Sequence, residues 1–138
     1  MKTKTHETIR MRKNISSGSP YEKSVGFSRA VRMGKRICVA GTAPIAADGS
    51  AAFPGDAYRQ TRRCLEIIKR AIEEAGGSLT DVIRTRVYLT KAETWPEVAK
   101  AHGEYFSSIR PACTFVEVSR LLDPQWLVEI EADAELEP

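Results

Sequence analysis

The chain is poor in sulfur, histidine and aromatic rings, and it has no long apolar run. Among its 138 residues there are three cysteines and two histidines. Cys38, Cys64 and Cys113 are odd in number, widely spaced and without a CxxC pair, and only His6 and His102 accompany them, so neither a disulfide framework nor a zinc site is indicated. Free thiols in a reducing compartment fit that pattern. No apolar stretch nears the roughly 20 residues that span a bilayer, and the N-terminus lacks the apolar core of a signal peptide. The expectation is a cytoplasmic chain with no membrane partner. Aromatic residues make up 7%, and no basic stripe interleaves with them, which disfavours nucleic acid as a partner.

What is present is globular: 42% hydrophobic and 28% charged residues, in a length suited to one domain. The net charge of +3 is unevenly placed. Lys2, Lys4, Arg10, Arg12 and Lys13 stand against Glu7 alone, which makes residues 1–13 net +4. Residues 1–15 therefore read as a basic, flexible tail and residues 16–138 as the folded body.

Within that body, "FSRAVRMGKRICVAGTAP" holds two short β-like runs separated by Gly34-Lys35, which predicts a hairpin. Ala57, Thr61, Cys64, Leu65, Ile68, Ala71, Ile72 and Ala75 recur at spacings of three and four, predicting an amphipathic helix opened by Gly55 or Asp56 and stopped by Gly76 and Gly77. The stretch "VIRTRVYL" alternates, placing Ile83, Thr85, Val87 and Leu89 on one face and Arg84, Arg86 and Tyr88 on the other. A second helix follows, with Thr94 and Glu97 spaced as a capping box and Trp95, Val98, Ala99, His102 and Phe106 as its inner stripe. Two strands, around Cys113 and Glu129, close the chain.

The order β-β-α-β-α-β-β implies an α+β layer structure, one sheet with two helices on one face. The other face would carry Tyr88, Phe115 and Val31 beside Arg84, Arg86, Glu129 and Glu131. That mixture is too apolar for open water and too charged for a closed core, and oligomerisation resolves both problems.

Several motifs carry a resemblance. "SPYEK", "ICVAGTAPIAADGS", the first helix with the strand after it, and above all "RPACTFVEVSRL…LVEIEADA" resemble the RidA/YjgF family, reactive-intermediate deaminases also called endoribonuclease L-PSP, over residues 19–136. The resemblance implies a chorismate-mutase-like subunit and a homotrimer with small-molecule clefts between subunits. It also implies hydrolysis of enamines and imines to ammonia and a 2-oxo acid without a cofactor or metal. The family's "PARS" motif places an arginine on the substrate carboxylate. Here Pro111, Ala112, Cys113 and Thr114 stand there, so Cys113 replaces the arginine and Phe115 replaces a family cysteine. Glu129 matches the acid that handles water, and Tyr21 matches the cleft tyrosine.

No histidine or acid stands in a spacing that marks Cys113 as a nucleophile, so it reads as a small, half-buried strand residue lining the cleft. Arg86 has two readings: a substitute for the missing cation, or a structural partner of Glu129 or Glu131. His102, on the inner helix stripe, reads as a packed histidine. Arg29 and Arg32 belong to opposite faces of the hairpin, and either one could border the cleft. Three functions follow from the resemblance. They are a small-metabolite-binding trimer with hydrolytic chemistry on a non-standard substrate, a true imine deaminase, and an endoribonuclease or translation inhibitor. The last has no histidine pair or basic groove to support it.

Overall fold

Alternating strands and one long 3.6-residue period build a sheet and a helical layer in the computed structural model, which describes residues 11–138. The strands are β1 (Arg12–Ile15), β2 (Ala30–Met33), β3 (Arg36–Thr42), β4 (Val82–Leu89), β5 (Ala112–Glu117) and β6 (Val128–Glu135). They lie in the order β1-β2-β3-β6-β4-β5. All neighbours are antiparallel except β4 and β5, whose parallel pairing requires the helical crossover between them.

β1 corrects the expected tail. Its four residues pair in register with β2, from Arg12 opposite Met33 to Ile15 opposite Ala30, and Ile15 is buried. An apolar residue that can cover the end of the core outweighs the polar neighbours that suggested a loose terminus. Residues 1–10 of that expected tail lie outside the described residues.

Helix α1 (Ala57–Glu74) buries the stripe its period predicts, with Leu65, Ile68 and Ile72 fully enclosed. Full burial of each such side chain stabilises the fold by about 1.5–3 kcal/mol. Asp56 caps its start, its side chain accepting from Arg59 N at 2.9 Å, and Gly76 leaves the helix with φ near 95°. Helix α2 (Trp95–Phe106) packs beside α1.

Two sequence expectations fail at α2. The capping box does not form, because a turn over Ala92–Thr94 already holds Thr94 at φ −80°, ψ −3°, where an N-cap side chain cannot reach forward. Its hydroxyl donates backward to Lys91 O instead. The inner stripe is Val98, Ala101, His102 and Phe106, while Trp95 remains 49% exposed at the helix mouth.

A bulge between Val82 and Arg84 changes β4 as well. It lets Val82 enter the core and turns Ile83 outward, after which Thr85, Val87 and Leu89 face the helices as alternation requires. Ile37, Val39, Ile130, Ala132 and Ala134 complete the same covered face.

Candidate functional site

The uncovered face of the sheet is organised by β6, whose Glu129, Glu131 and Asp133 alternate with the buried Val128, Ile130 and Ala132. Opposite them β3 is irregular. Val39 pairs with Ala132 and Thr42 with Ile130, so Ala40 and Gly41 together stand against Glu131 alone. This is a bulge, and it opens space at Gly41 into which the Glu129 side chain folds. A β-carbon at Gly41 would collide with Glu129 Oε2. The carboxyl is half-buried, and that burial pushes its pKa above the usual carboxylate range; Arg29 works against the rise and Glu131 adds to it.

Arg29 precedes β2 and points to this uncovered side, since its neighbour Ala30 is buried on the other. Its Nη1 donates to Gly41 O at 3.2 Å and to Thr42 Oγ1 at 2.5 Å, so the same bulge that receives Glu129 is tied to the arginine. Burial weakens the guanidinium's hold on its proton, and Glu129 is the strongest charge opposing that loss. Arg32 goes elsewhere, donating to Gly34 O and, at 2.8 Å, to Ala75 O beyond the end of α1. The choice between these two arginines is thus a matter of strand facing.

Further along the same face, Arg86 pairs with Glu131 Oε1 at 3.6 Å and with Asp133 Oδ2 at 3.5 Å. Tyr88 donates its hydroxyl to Glu131 Oε1, and that hydrogen bond is the main reason its pKa lies above the ordinary phenol value. Arg86 therefore takes the structural partnership with Glu131 that its position allowed, with Asp133 as a second partner.

Cys113 and Phe115 lie on the other side. The parallel register sets Cys113 beside Thr85 and Phe115 beside Val87, both buried under the helices, so Phe115 does not share the face of Tyr88 as alternation alone suggested. The expected order failed because β5 begins two residues after the left-handed Arg110, and its facing comes from its partner strand. Phe115 packs edge-on to Trp95 and to His102, with centroids 6.1 and 5.7 Å apart.

His102 Nε2 stands 2.9 Å from Thr85 Oγ1 and 3.8 Å from the exposed Cys113 sulfur. A cysteine–histidine proximity thus exists that no sequence spacing revealed, because helix and strand meet only through the crossover. Burial raises the Cys113 pKa and lowers that of His102, so the two stand as thiol and neutral imidazole and not as an activated ion pair.

Tyr21 sits at the entry to a short helical turn, Glu22–Gly26, and is 64% exposed. The carboxylate of Glu22 accepts from Ser16 and Ser17, which fixes this loop. A surface groove of about 390 Å³ runs past Phe53, Tyr58, Arg59, Arg62, Arg63 and Glu66. Its arginines are already engaged, Arg59 with Asp56, Arg62 with Glu104 and Arg63 with Ile45 O. Among the described residues no group of three or more potential metal ligands occurs, and no helix is long and apolar enough to cross a membrane.

Fold and site together define an α+β subunit with one helix-covered sheet face and an acid–arginine cluster on the other. The chain belongs to the endoribonuclease L-PSP family, whose model matches residues 19–136. It is 46% identical to Rv2704 of Mycobacterium tuberculosis, described as a member of the YjgF/YER057c/UK114 family; the superposition covers 91% of this chain and 99% of that one with a TM-score of 0.81. An uncharacterized protein of Streptomyces coelicolor is 40% identical over 130 residues, 94% of each chain. The 3-aminoacrylate deaminase RutC of Acinetobacter baylyi is 37% identical over 98 residues, 71% of this chain and 77% of that one.

Proposed function

We propose that copies of this chain assemble into a homotrimer that binds a small imine- or enamine-bearing metabolite against the uncovered sheet face and hydrolyses it, with Glu129 handling the water. The observation that carries this is a half-buried carboxyl on a face that the helices leave open, its pKa pushed up by burial and drawn back by the field of Arg29. A carboxyl of that kind exchanges protons near neutral pH more readily than an exposed one. A relative that bears the name of 3-aminoacrylate deaminase supports the substrate class.

The chemistry needs one acid–base group used twice. Water adds to the iminium carbon while the Glu129 carboxylate takes a proton from it, and the C=N pair moves onto nitrogen. Glu129 then returns that proton to nitrogen, the C–N bond breaks and ammonia leaves, and the hydroxyl collapses to a carbonyl as its proton passes to the departing ammonia. The net change is iminium plus water to ketone plus ammonium. Cys113 and Glu129 lie on opposite faces of one sheet, so both can border one ligand only where two copies meet.

A pyridoxal enzyme that generates 2-aminoacrylate, coupled to the purified protein, tests this through release of pyruvate or ammonia. Release should exceed the spontaneous rate with the natural sequence and return to it with Glu129→Gln. Release at the spontaneous rate for both proteins would remove the deaminase reading.

A further inference from the structure

Arg29 is bound on one side only. Its Nη1 meets three oxygens, Ala40 O at 3.4 Å, Gly41 O at 3.2 Å and Thr42 Oγ1 at 2.5 Å. Among the described residues its Nε and Nη2 have no hydrogen-bond partner, and it enters none of the ion pairs. Glu129 and, more weakly, Glu22 act on it only through the longer-range field. A half-buried cation with no close counter-ion is costly, and clamping a bulge through one nitrogen does not require a guanidinium. What the guanidinium adds is the side-on fork of Nε–H and Nη2–H, whose spacing matches two carboxylate oxygens.

Among the described residues the other cations of the uncovered face do not offer this: Arg12, on the edge strand β1 and three strands from β6, gives its Nε to Asn14 Oδ1. Arg86 is taken by Glu131 and Asp133. Arg84 pairs in register with Asp133, four residues along β6 from Glu129, a separation of about 13 Å. Arg36, at the far end of β3, stands opposite Glu135 and pairs with its carboxylate at 3.5 Å.

We propose that Arg29 is the carboxylate-binding residue of this site, its open Nε–Nη2 edge taking the carboxylate of a small organic acid so that the reacting carbon lies beside Glu129. The proposal rests on the reading of Glu129 as the water-handling acid, and it restores from the first hairpin the cation that position 113 lacks. Gly41 lies between the two, its carbonyl on Arg29 and its α-carbon against Glu129, which keeps their spacing constant. The site then selects small carboxylic acids over their uncharged counterparts.

Binding of 2-oxobutyrate and of its neutral amide, followed by chemical-shift titration, tests this with the natural protein, Arg29→Gln and Arg29→Lys. The natural protein should bind the acid. Arg29→Gln should weaken that binding by roughly 10- to 100-fold, the loss expected for a charged hydrogen-bonded pair, and leave the amide unchanged. Arg29→Lys keeps the charge without the fork and should fall between, which keeps the test available if the glutamine variant melts. Unchanged acid binding in both variants would overturn the role of Arg29 while leaving Glu129's role to the ammonia assay. Equal losses for acid and amide would also overturn it, by showing a structural clamp only. Failure of the natural protein to bind the acid or to accelerate ammonia release would remove the site reading and this proposal together.

Discussion

Gly41 is the residue on which the site's geometry turns. A side chain there would occupy the position of Glu129 Oε2, the far end of a side chain that can rotate away. Gly41→Ala should therefore displace the carboxyl and not the backbone. The expected stability change is below about 1 kcal/mol, with ammonia release lost by tenfold or more. Thermal melting read beside the pyruvate assay checks this, and a large melting loss with activity retained would contradict it. Cys113 shows the opposite relation between position and role. Its place in the chain draws attention, yet its surroundings leave it a neutral thiol beside a neutral imidazole.

At the scale of elements, single side chains join pieces that the chain separates. Gln60, wholly buried in α1, donates through Nε2 to Ala52 O at 3.1 Å and Gln125 O at 2.9 Å, and accepts from Leu127 N at 2.8 Å. It thereby anchors both the loop before α1 and the approach to β6, where Glu129 follows. Gln60→Ala leaves those backbone groups unpaired and should cost about 1–3 kcal/mol for each one that water does not reach. Chemical denaturation gives the number.

Helix α2 adds a pH dependence through His102, whose pKa burial lowers from 6.5. The unfolded chain takes up a proton near that ordinary value while the folded chain resists it, so the unfolded state binds more protons in the window below pH 6.5 and stability falls as pH drops through it. His102→Gln should flatten that part of the urea-midpoint profile. An unchanged slope would show that other groups supply it.

At the scale of the whole molecule, the two sheet faces set different demands. One is sealed by α1 and α2, and the other displays ion pairs beside exposed apolar groups, among them Val116 at 42% and Met33 at 46% exposure. Such a face is satisfied by a second copy better than by water. Light scattering should give three times the chain mass of 15.3 kDa. Val116→Asp, which puts a charge on the edge strand beside Tyr88, should lower that mass. A natural protein of single-chain mass would remove the shared ligand site.

The periodicities that decide the fold are local, and the sequence shows them without help. The stripe from Ala57 to Ala75, the alternation along β6 and the element order depend on which residues shun water at spacings of 3.6 and 2. The family motifs are equally local, which is why Glu129 could be named from them. Facing and proximity are not local. The bulge at Val82 turned Ile83 outward, and the register with β4 put Phe115 under the helices. The bulge at Gly41 made room for the Glu129 side chain and offered its carbonyl to Arg29. Each depends on how a strand meets a partner tens of residues away, and a shift of one residue there exchanges the two faces of a sheet. Composition and spacing therefore determined which elements form, and the quoted motifs which family the chain resembles, while tertiary pairing alone decided that Arg29, and not Arg32, faces the side of the sheet that carries Glu129 and that Arg86 is taken by Glu131 and Asp133.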